Sequence, residues 1–191
     1  MFEQVFAQQR GQAARRRKPA RADQETSLEL SVLEAFRGGA RELSFTDTRT
    51  GDRRRLSVQV PAGVRPGQRI RLAGQAAGGA DLYLVVTVAA DDRFRLEGDD
   101  VHTTLRISPP EAVLGATAEL ETLEGRVKVK IPPGSSTGRQ IRLRERGYPA
   151  RGGGRGDLYA ELAVVVPPEP SPEERALYEQ IAAVTRFAPR S

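Results

Sequence analysis

The strongest constraint on the fold of this chain is an internal repeat. The segment 60–72 matches 131–143 without a gap, and both copies carry a proline, two glycines and the triplet Ile-Arg-Leu at the same positions. Each copy continues through a glycine-rich loop to the triplet Asp-Leu-Tyr, at 81–83 and 157–159, and then to an apolar run. A repeat of this length indicates two copies of one structural unit.

Apolar and polar residues alternate in the stretches that surround the repeat. This period of two occurs in 28–32, 56–60 and 127–131. Such alternation is typical of strands that bury one row of side chains and expose the other. The fold class is therefore expected to be mainly β, with two tandem similar β-sandwich units.

Turns and short helices are expected between these strands. Hairpin turns are predicted at Thr50-Gly51-Asp52 and at Glu124-Gly125, because glycine next to a polar residue suits tight turns. The segment Glu34–Gly38, matched by 111–115 in the second copy, predicts a short helix that ends at a glycine. We expect five parts, at residues 1–25 (basic linker), 26–90 (first unit), 91–100 (junction), 101–168 (second unit) and 169–187 (C-terminal helix).

The last part has a helical pattern instead of a strand pattern. Ser171, Pro172 and Glu174 suit an N-cap, a first-turn proline and a capping box, and they predict a helix of about four turns that ends near residues 187–189. Its apolar stripe either packs on its own unit or contacts a second chain. The stripe consists of Leu177, Tyr178, Ile181 and Val184.

Positive charge is concentrated at the beginning of the sequence. Residues 1–25 hold six basic and three acidic side chains, a net charge of +3, which leaves +2 of the total of +5 for the rest. The run Arg15, Arg16, Arg17 and Lys18 is either an arm that binds phosphates or a solvated linker. No aromatic residue interrupts this run to stack on bases.

The sequence offers no catalytic or metal-binding pattern. With no cysteine and one histidine, His102, it has neither a nucleophile–histidine pair nor a metal cluster, and we expect neither an enzyme nor a cofactor. The pairs Asp91-Asp92 and Asp99-Asp100 are interpreted as turn residues. The loop 152–156 lacks the Lys-Ser/Thr and the strand–loop–helix context of a phosphate site.

No stretch reaches the roughly 18 consecutive apolar residues of a membrane span, and the first residues do not form a secretory signal. A cytoplasmic protein without membrane contact is therefore expected.

Several of these motifs, in this order, resemble the C-terminal region of DnaJ-type co-chaperones. The first domain of that family is similar to 33–38, 60–67 and 81–83, the junction to 94–101, and the second domain to 110–115, 131–134 and 156–159. The J domain's His-Pro-Asp is missing, since His102 is followed by Thr103, and so are the cysteines of the zinc-binding subgroup. The chain therefore resembles the zinc-free members, either as a fragment or as a relative without a J domain.

The resemblance implies a groove on the first unit that binds extended, unfolded segments alongside a strand, by β-augmentation. The matching positions are Thr26, Leu28, Leu30, Arg41, Leu43 and Phe45. These residues are alternatively core, an interpretation we favour for Leu30.

The resemblance also implies partners: unfolded clients, a DnaK-type chaperone and a second copy bound through the C-terminal helix. An alternative function is that of an architectural DNA-binding protein, since the zinc-free members include curved-DNA-binding proteins. A third is an assembly module that only dimerises.

Overall fold

Both copies of the repeat form the same arrangement of strands in the computed structural model, which describes residues 23–46, 51, 53–76 and 79–190. The basic run 15–18 and the turn residues Thr50 and Asp52 lie outside the described residues. The chain divides into two units, the first formed by the described residues up to Leu30 and by Gly38–Val88, the second by Ser31–Arg37 and the described residues from Ala89 onward.

The first unit contains a three-stranded sheet and a hairpin. The sheet has the order β1-β5-β4, and β2 pairs antiparallel with β3 to form the hairpin. The alternation of the sequence is visible in burial, since every second residue is buried in the later part of β1 and of β3. The strands are β1 (Gln24–Ser31), β2 (Gly39–Thr46), β3 (Arg53–Val60), β4 (Arg69–Leu72) and β5 (Leu82–Ala89).

The second unit repeats this plan with one additional strand. Its sheet has the order β10-β11-β7-β6, in which β11 runs parallel to β7, and β8 forms a hairpin with β9. Helix α1 (Val32–Arg37) groups with this unit. The other elements are β6 (Arg95–Glu97), β7 (Asp100–Ile107), α2 (Pro109–Leu114), β8 (Ala116–Thr122), β9 (Gly125–Ile131), β10 (Gln140–Leu143), β11 (Leu158–Val164) and α3 (Pro172–Val184).

The sequence repeat corresponds to repeated backbone hydrogen bonds. The N–H of Gly67 donates to the carbonyl of Val86 at 2.8 Å, and Gly138 donates to Leu162 at 2.9 Å. The mainly β fold with two similar units, expected from the repeat, is confirmed. The stretch 91–100, expected as a junction, contains β6, which pairs with β7.

Helix α3 has the predicted cap, because Ser171 and Glu174 form a complete capping box. It ends at Val184, before the expected 187–189, since Thr185 adopts extended backbone and its hydroxyl accepts the N–H of Phe187. No residue of α3 is buried. Among the helices of the described residues, none has the length and the apolar composition to span a bilayer.

Candidate functional site

The three groove residues expected on β1 differ in burial. Leu28 and Leu30 are each 3 % exposed and belong to the core of the first unit, whereas Thr26, nearer to the start of the strand, is half-buried. All three share one face because side chains alternate along a strand. The face of β1 therefore becomes accessible at the start of the strand, at Gln24 and Thr26.

The groove residues expected on β2 remain partly open along the whole strand. Arg41, Leu43 and Phe45 are half-buried, and the residues between them are exposed. Across the hairpin, Arg41 lies opposite the buried Val58, whereas Phe45 lies opposite the exposed Arg54. The inner face of the hairpin thus passes from core to solvent as it approaches Phe45.

A cavity of about 460 Å³ lies where these two open ends meet. Thr26 and Phe45 are the two expected groove residues that line it, while Arg41 and Leu43 are farther along β2. The sequence reasoning missed Leu82, although its place at the start of an apolar run directly after Asp81 was a usable signal. We call this cavity the β1–β2 groove; its lining residues are Gln24, Glu25, Thr26, Ser44, Phe45, Thr46 and Leu82.

The second unit shows that an open hairpin face is not a general property of the repeat. Counting forward from the equivalent glycines Gly38 and Gly115 matches Leu43 with Leu120 and Phe45 with Thr122. Leu120 is 3 % exposed and Thr122 is 2 % exposed, and the Thr122 hydroxyl also donates to the carbonyl of Gly125 at 2.7 Å. The first unit alone therefore presents a large apolar pair at these positions.

The charged residues beside the β1–β2 groove are paired along the sheet. Glu25 forms an ion pair with Arg69, and the Arg69 guanidinium lies over the ring of Tyr83, with its carbon 4.8 Å from the ring centroid. Of the residues that line the groove, Phe45 and Leu82 are apolar, Glu25 is the one carboxylate, and the others are uncharged polar residues. This lining offers apolar contacts together with hydrogen bonds, as an extended peptide segment requires.

The residues considered for catalysis or metal binding have other contacts. His102 stacks on Tyr159 at 5.3 Å between ring centroids, and its Nε2 lies 3.2 Å from Glu97. Asp91 accepts backbone N–H groups within its own turn, and Asp100 accepts the N–H of Asp157 at 2.7 Å. The described part of the chain contains no group of three or more residues that could hold a metal ion.

The comparison with protein families gives a match to the DnaJ C terminal domain over residues 24–167. The chain belongs to the DnaJ C-terminal domain family. The matched residues include both repeated units and the β1–β2 groove. The resemblance found in the sequence is therefore confirmed.

Some relatives of this DnaJ-family chain are named as DnaJ chaperones and others as curved DNA-binding proteins. The chain is 46 % identical over 162 residues to "Chaperone protein DnaJ" of Deinococcus proteolyticus, covering 85 % of this chain and 50 % of the relative. It is 39 % identical over 173 residues to "Chaperone protein DnaJ 2" of Synechocystis sp., covering 91 % and 55 %. It is 37 % identical over 206 residues to "Curved DNA-binding protein" of Pseudomonas syringae pv. tomato, covering 100 % and 66 %. The chain thus spans about half the length of the two DnaJ chaperones.

Proposed function

We propose that this chain is the client-binding and dimerising part of a non-enzymatic co-chaperone. Its first unit binds extended apolar segments of unfolded proteins in the β1–β2 groove by β-augmentation. The observation that supports this most is that Leu43 and Phe45 are only half-buried, whereas their counterparts Leu120 and Thr122 are buried. Apolar side chains that are left partly open beside a cavity are suited to bind an apolar ligand.

Binding at this groove is expected to be weak and reversible. Each client side chain that is buried contributes about 1.5–3 kcal/mol, and each net hydrogen bond about 0.5–1.5 kcal/mol. Ordering the client backbone costs about 1–2 kcal/mol per residue. These contributions nearly cancel for a segment of a few residues, so single-site affinity is micromolar or weaker, as transfer to another chaperone requires.

A second copy of the chain increases this affinity through avidity. The exposed apolar residues Leu177 and Ile181, at 58 % and 56 % exposure, form with Tyr178 and Val184 a stripe on α3 that a second α3 covers. Two grooves that bind one unfolded protein raise the effective concentration for the second contact. The dimer thereby holds clients that a single groove releases.

Delivery to a DnaK-type chaperone is the next step in this proposal. Arg41 carries its positive charge on the groove side of β2, where it is half-buried. A guanidinium in that position binds an acidic peptide tail through charge-assisted hydrogen bonds. Such a tail on the DnaK-type partner competes with client for the groove and promotes its release.

The test is suppression of aggregation of a chemically denatured protein by the wild type and by Leu43→Ser with Phe45→Ser. We expect suppression that persists at high salt and that the double variant loses. Val166→Ser is a matched control, because Val166 is an apolar side chain with 71 % exposure in the second unit. A folded double variant that suppresses aggregation as well as the wild type would refute client binding in this groove.

Binding of DNA is a second candidate function. It is supported by the name of the Pseudomonas syringae relative, and by the run Arg15–Lys18 in this sequence. Because phosphate contacts release counterions, DNA affinity must decrease steeply as salt rises, whereas groove binding must not. Fluorescence anisotropy of a labelled duplex between low and high salt, with Arg15, Arg16, Arg17 and Lys18 all replaced by Ser as the control, separates the two functions.

A further inference from the structure

The hairpin of the first unit carries positive charge at the end where β2 stops and β3 starts. Strand β3 begins with three consecutive exposed arginines, residues 53–55. They lie opposite residues 44–46, Ser-Phe-Thr, none of which is charged. Within the part of the chain that the structure describes, none of these three guanidinium groups forms an ion pair or a hydrogen bond. We call residues 44–46 and 53–55 the arginine end of the hairpin.

Two of the three arginines share the outer face of the hairpin. Side chains alternate along a strand, so Arg53 and Arg55 lie on the face opposite to that of the buried Val58. Neighbouring side chains on one face of a strand are about 7 Å apart. Their cross-strand partners, Thr46 and Ser44, are exposed as well. The outer face therefore presents two guanidinium groups beside two hydroxyl groups.

The hairpin of the second unit has the opposite charge at the equivalent end. The alignment of the two copies matches the arginine end with residues 121–126, which contain two glutamates and one arginine, a net charge of −1 against +3 for the three arginines. The charges there are also paired, Arg126 with Glu119 at 3.7 Å and Glu124 with Arg146 at 2.8 Å. The open positive charge thus belongs to the first unit and not to the repeat.

The rest of the first hairpin does not cancel this charge. Compared with the second copy, its sequence is longer by the six residues 47–52, which contain one arginine and two aspartates. The whole segment 44–55 keeps a net charge of +2, from four arginines and two aspartates. Farther along β2, the carboxylate of Glu42 lies opposite Ser57. An external anion can therefore reach an arginine end that remains positive.

The chemistry of the outer face matches the phosphate backbone of duplex DNA. A guanidinium binds phosphate oxygens through two parallel hydrogen bonds, and Ser and Thr hydroxyls also contact phosphates. Among its described residues, the outer face has no aromatic side chain to stack on unpaired bases, because Phe45 belongs to the other face. The same described residues include no large apolar side chain that would anchor a protein partner.

We propose that the arginine end binds the phosphates of duplex DNA through Arg53 and Arg55. This inference rests on DNA binding as the second candidate function, and it adds a contact on the first unit to the run 15–18. Contacts of this kind go to the backbone and carry no base sequence information. Because Leu43 and Phe45 lie on the other face, one hairpin serves client on one side and DNA on the other.

The test is the anisotropy of a fluorescein-labelled duplex titrated with the full chain, at salt concentrations between about 50 and 200 mM. Each phosphate contact contributes about 0.9 to the slope of log affinity against log salt. Arg53→Gln with Arg55→Gln is therefore expected to reduce the slope by about 2. Arg126→Gln with Lys128→Gln is the matched control, since it removes two exposed positive charges from the second hairpin and should leave the slope unchanged.

A charge-retaining variant separates charge from damage to the hairpin. Arg53→Lys with Arg55→Lys keeps both positive charges and should retain the slope. A slope that decreases equally in the lysine and glutamine variants would overturn the proposal. So would equal decreases in the two hairpins, because the effect would then follow net charge. Displacement of the duplex by polyglutamate at equal charge concentration would overturn it too, in favour of an acidic protein partner.

The failure of this inference differs from the failure of the DNA-binding function. A duplex that binds with a slope sensitive only to replacement of the run 15–18 would refute the role of the arginine end and leave DNA binding in place. A duplex that does not bind at any salt concentration would refute both.

Discussion

The guanidinium of Arg71 donates a hydrogen bond from Nε to Oδ2 of Asp81 at 2.6 Å, and the pair joins β4 to the beginning of β5. The other carboxylate oxygen of Asp81 accepts the backbone N–H of Gly74 at 3.0 Å. Asp81 thereby connects a strand, a loop and the next strand. This explains why the triplets Ile-Arg-Leu and Asp-Leu-Tyr recur together in the sequence.

The second copy repeats this contact, and it predicts acid sensitivity. The N–H of Glu145 and then the guanidinium of Arg142 hold the pKa of Asp157 below its ordinary value. A carboxylate whose pKa is lowered by folding stabilises the protein above its unfolded-state pKa, near 4, and loses that contribution as pH falls through the folded pKa. Asp157→Asn is expected to lower the Tm at neutral pH and to flatten its decrease below about pH 4.

Thermal denaturation followed by circular dichroism checks this prediction. Asp92→Asn is the matched control, since the exposed Asp92 lies in the turn before β6. Identical pH profiles for Asp157→Asn and the wild type would contradict the role of the carboxylate.

The cap of α2 predicts a moderate loss of stability. The Glu111 carboxylate accepts the backbone N–H and the hydroxyl of Ser108, each at 2.8 Å, and these bonds lower the pKa of Glu111. Ser108→Ala is expected to reduce the free energy of unfolding by about 1 kcal/mol, the usual cost of losing such a cap. Urea unfolding measures it, and Ser136→Ala, at an exposed loop position, should change little.

Two glycines with similar backbone angles are expected to tolerate alanine differently. Gly115 and Gly134 have φ of 79° and 69°. A Cβ on Gly115 would lie 2.9 Å from the carbonyl oxygen of Ile131, whereas a Cβ on Gly134 would meet nothing within 4 Å. Both substitutions carry the strain of a positive φ, about 1–2 kcal/mol, and Gly115→Ala adds a steric clash with the backbone. Equal urea midpoints for the two variants would contradict this ranking.

The exposed stripe of α3 predicts the oligomeric state. Leu177→Asp with Ile181→Asp is expected to give a folded monomer in sedimentation velocity, because four apolar side chains no longer form a continuous surface. Ala183→Asp, at an exposed position on the opposite side of the helix, should sediment as the wild type does. An unchanged mass for the double variant would exclude this stripe as the interface.

The sequence predicted the elements of the fold well because its strongest signals are local. The alternation in 56–60 and 127–131 and the cap at Ser171 each depend on neighbours along the chain, and each corresponds to an observed element. The predicted end of α3 was less accurate, because the helix stops at Val184. It depends on a hydrogen bond between Thr185 and Phe187, which no spacing of apolar residues reveals.

The openness of the groove could not be predicted in the same way. Alternation puts Thr26 and Leu28 on one face, but whether that face is covered depends on how the hairpin packs over it. Leu28 is buried and Phe45 is not, although both stand in similar alternating patterns. Strand β6 was not predicted for a related reason, since the sequence suggested a junction at 91–100, where this short strand pairs with β7.

The contact between Arg71 and Asp81 also bears on how this protein can evolve. The two residues are separated by 10 positions along the chain, and the equivalent pair in the second copy by 15. Each pair connects two neighbouring strands of its unit, and neither pair involves Leu43 or Phe45. Side chains at those two positions can therefore change without breaking either ion pair, so that under the proposed function the range of accepted clients can diverge while these two contacts are retained.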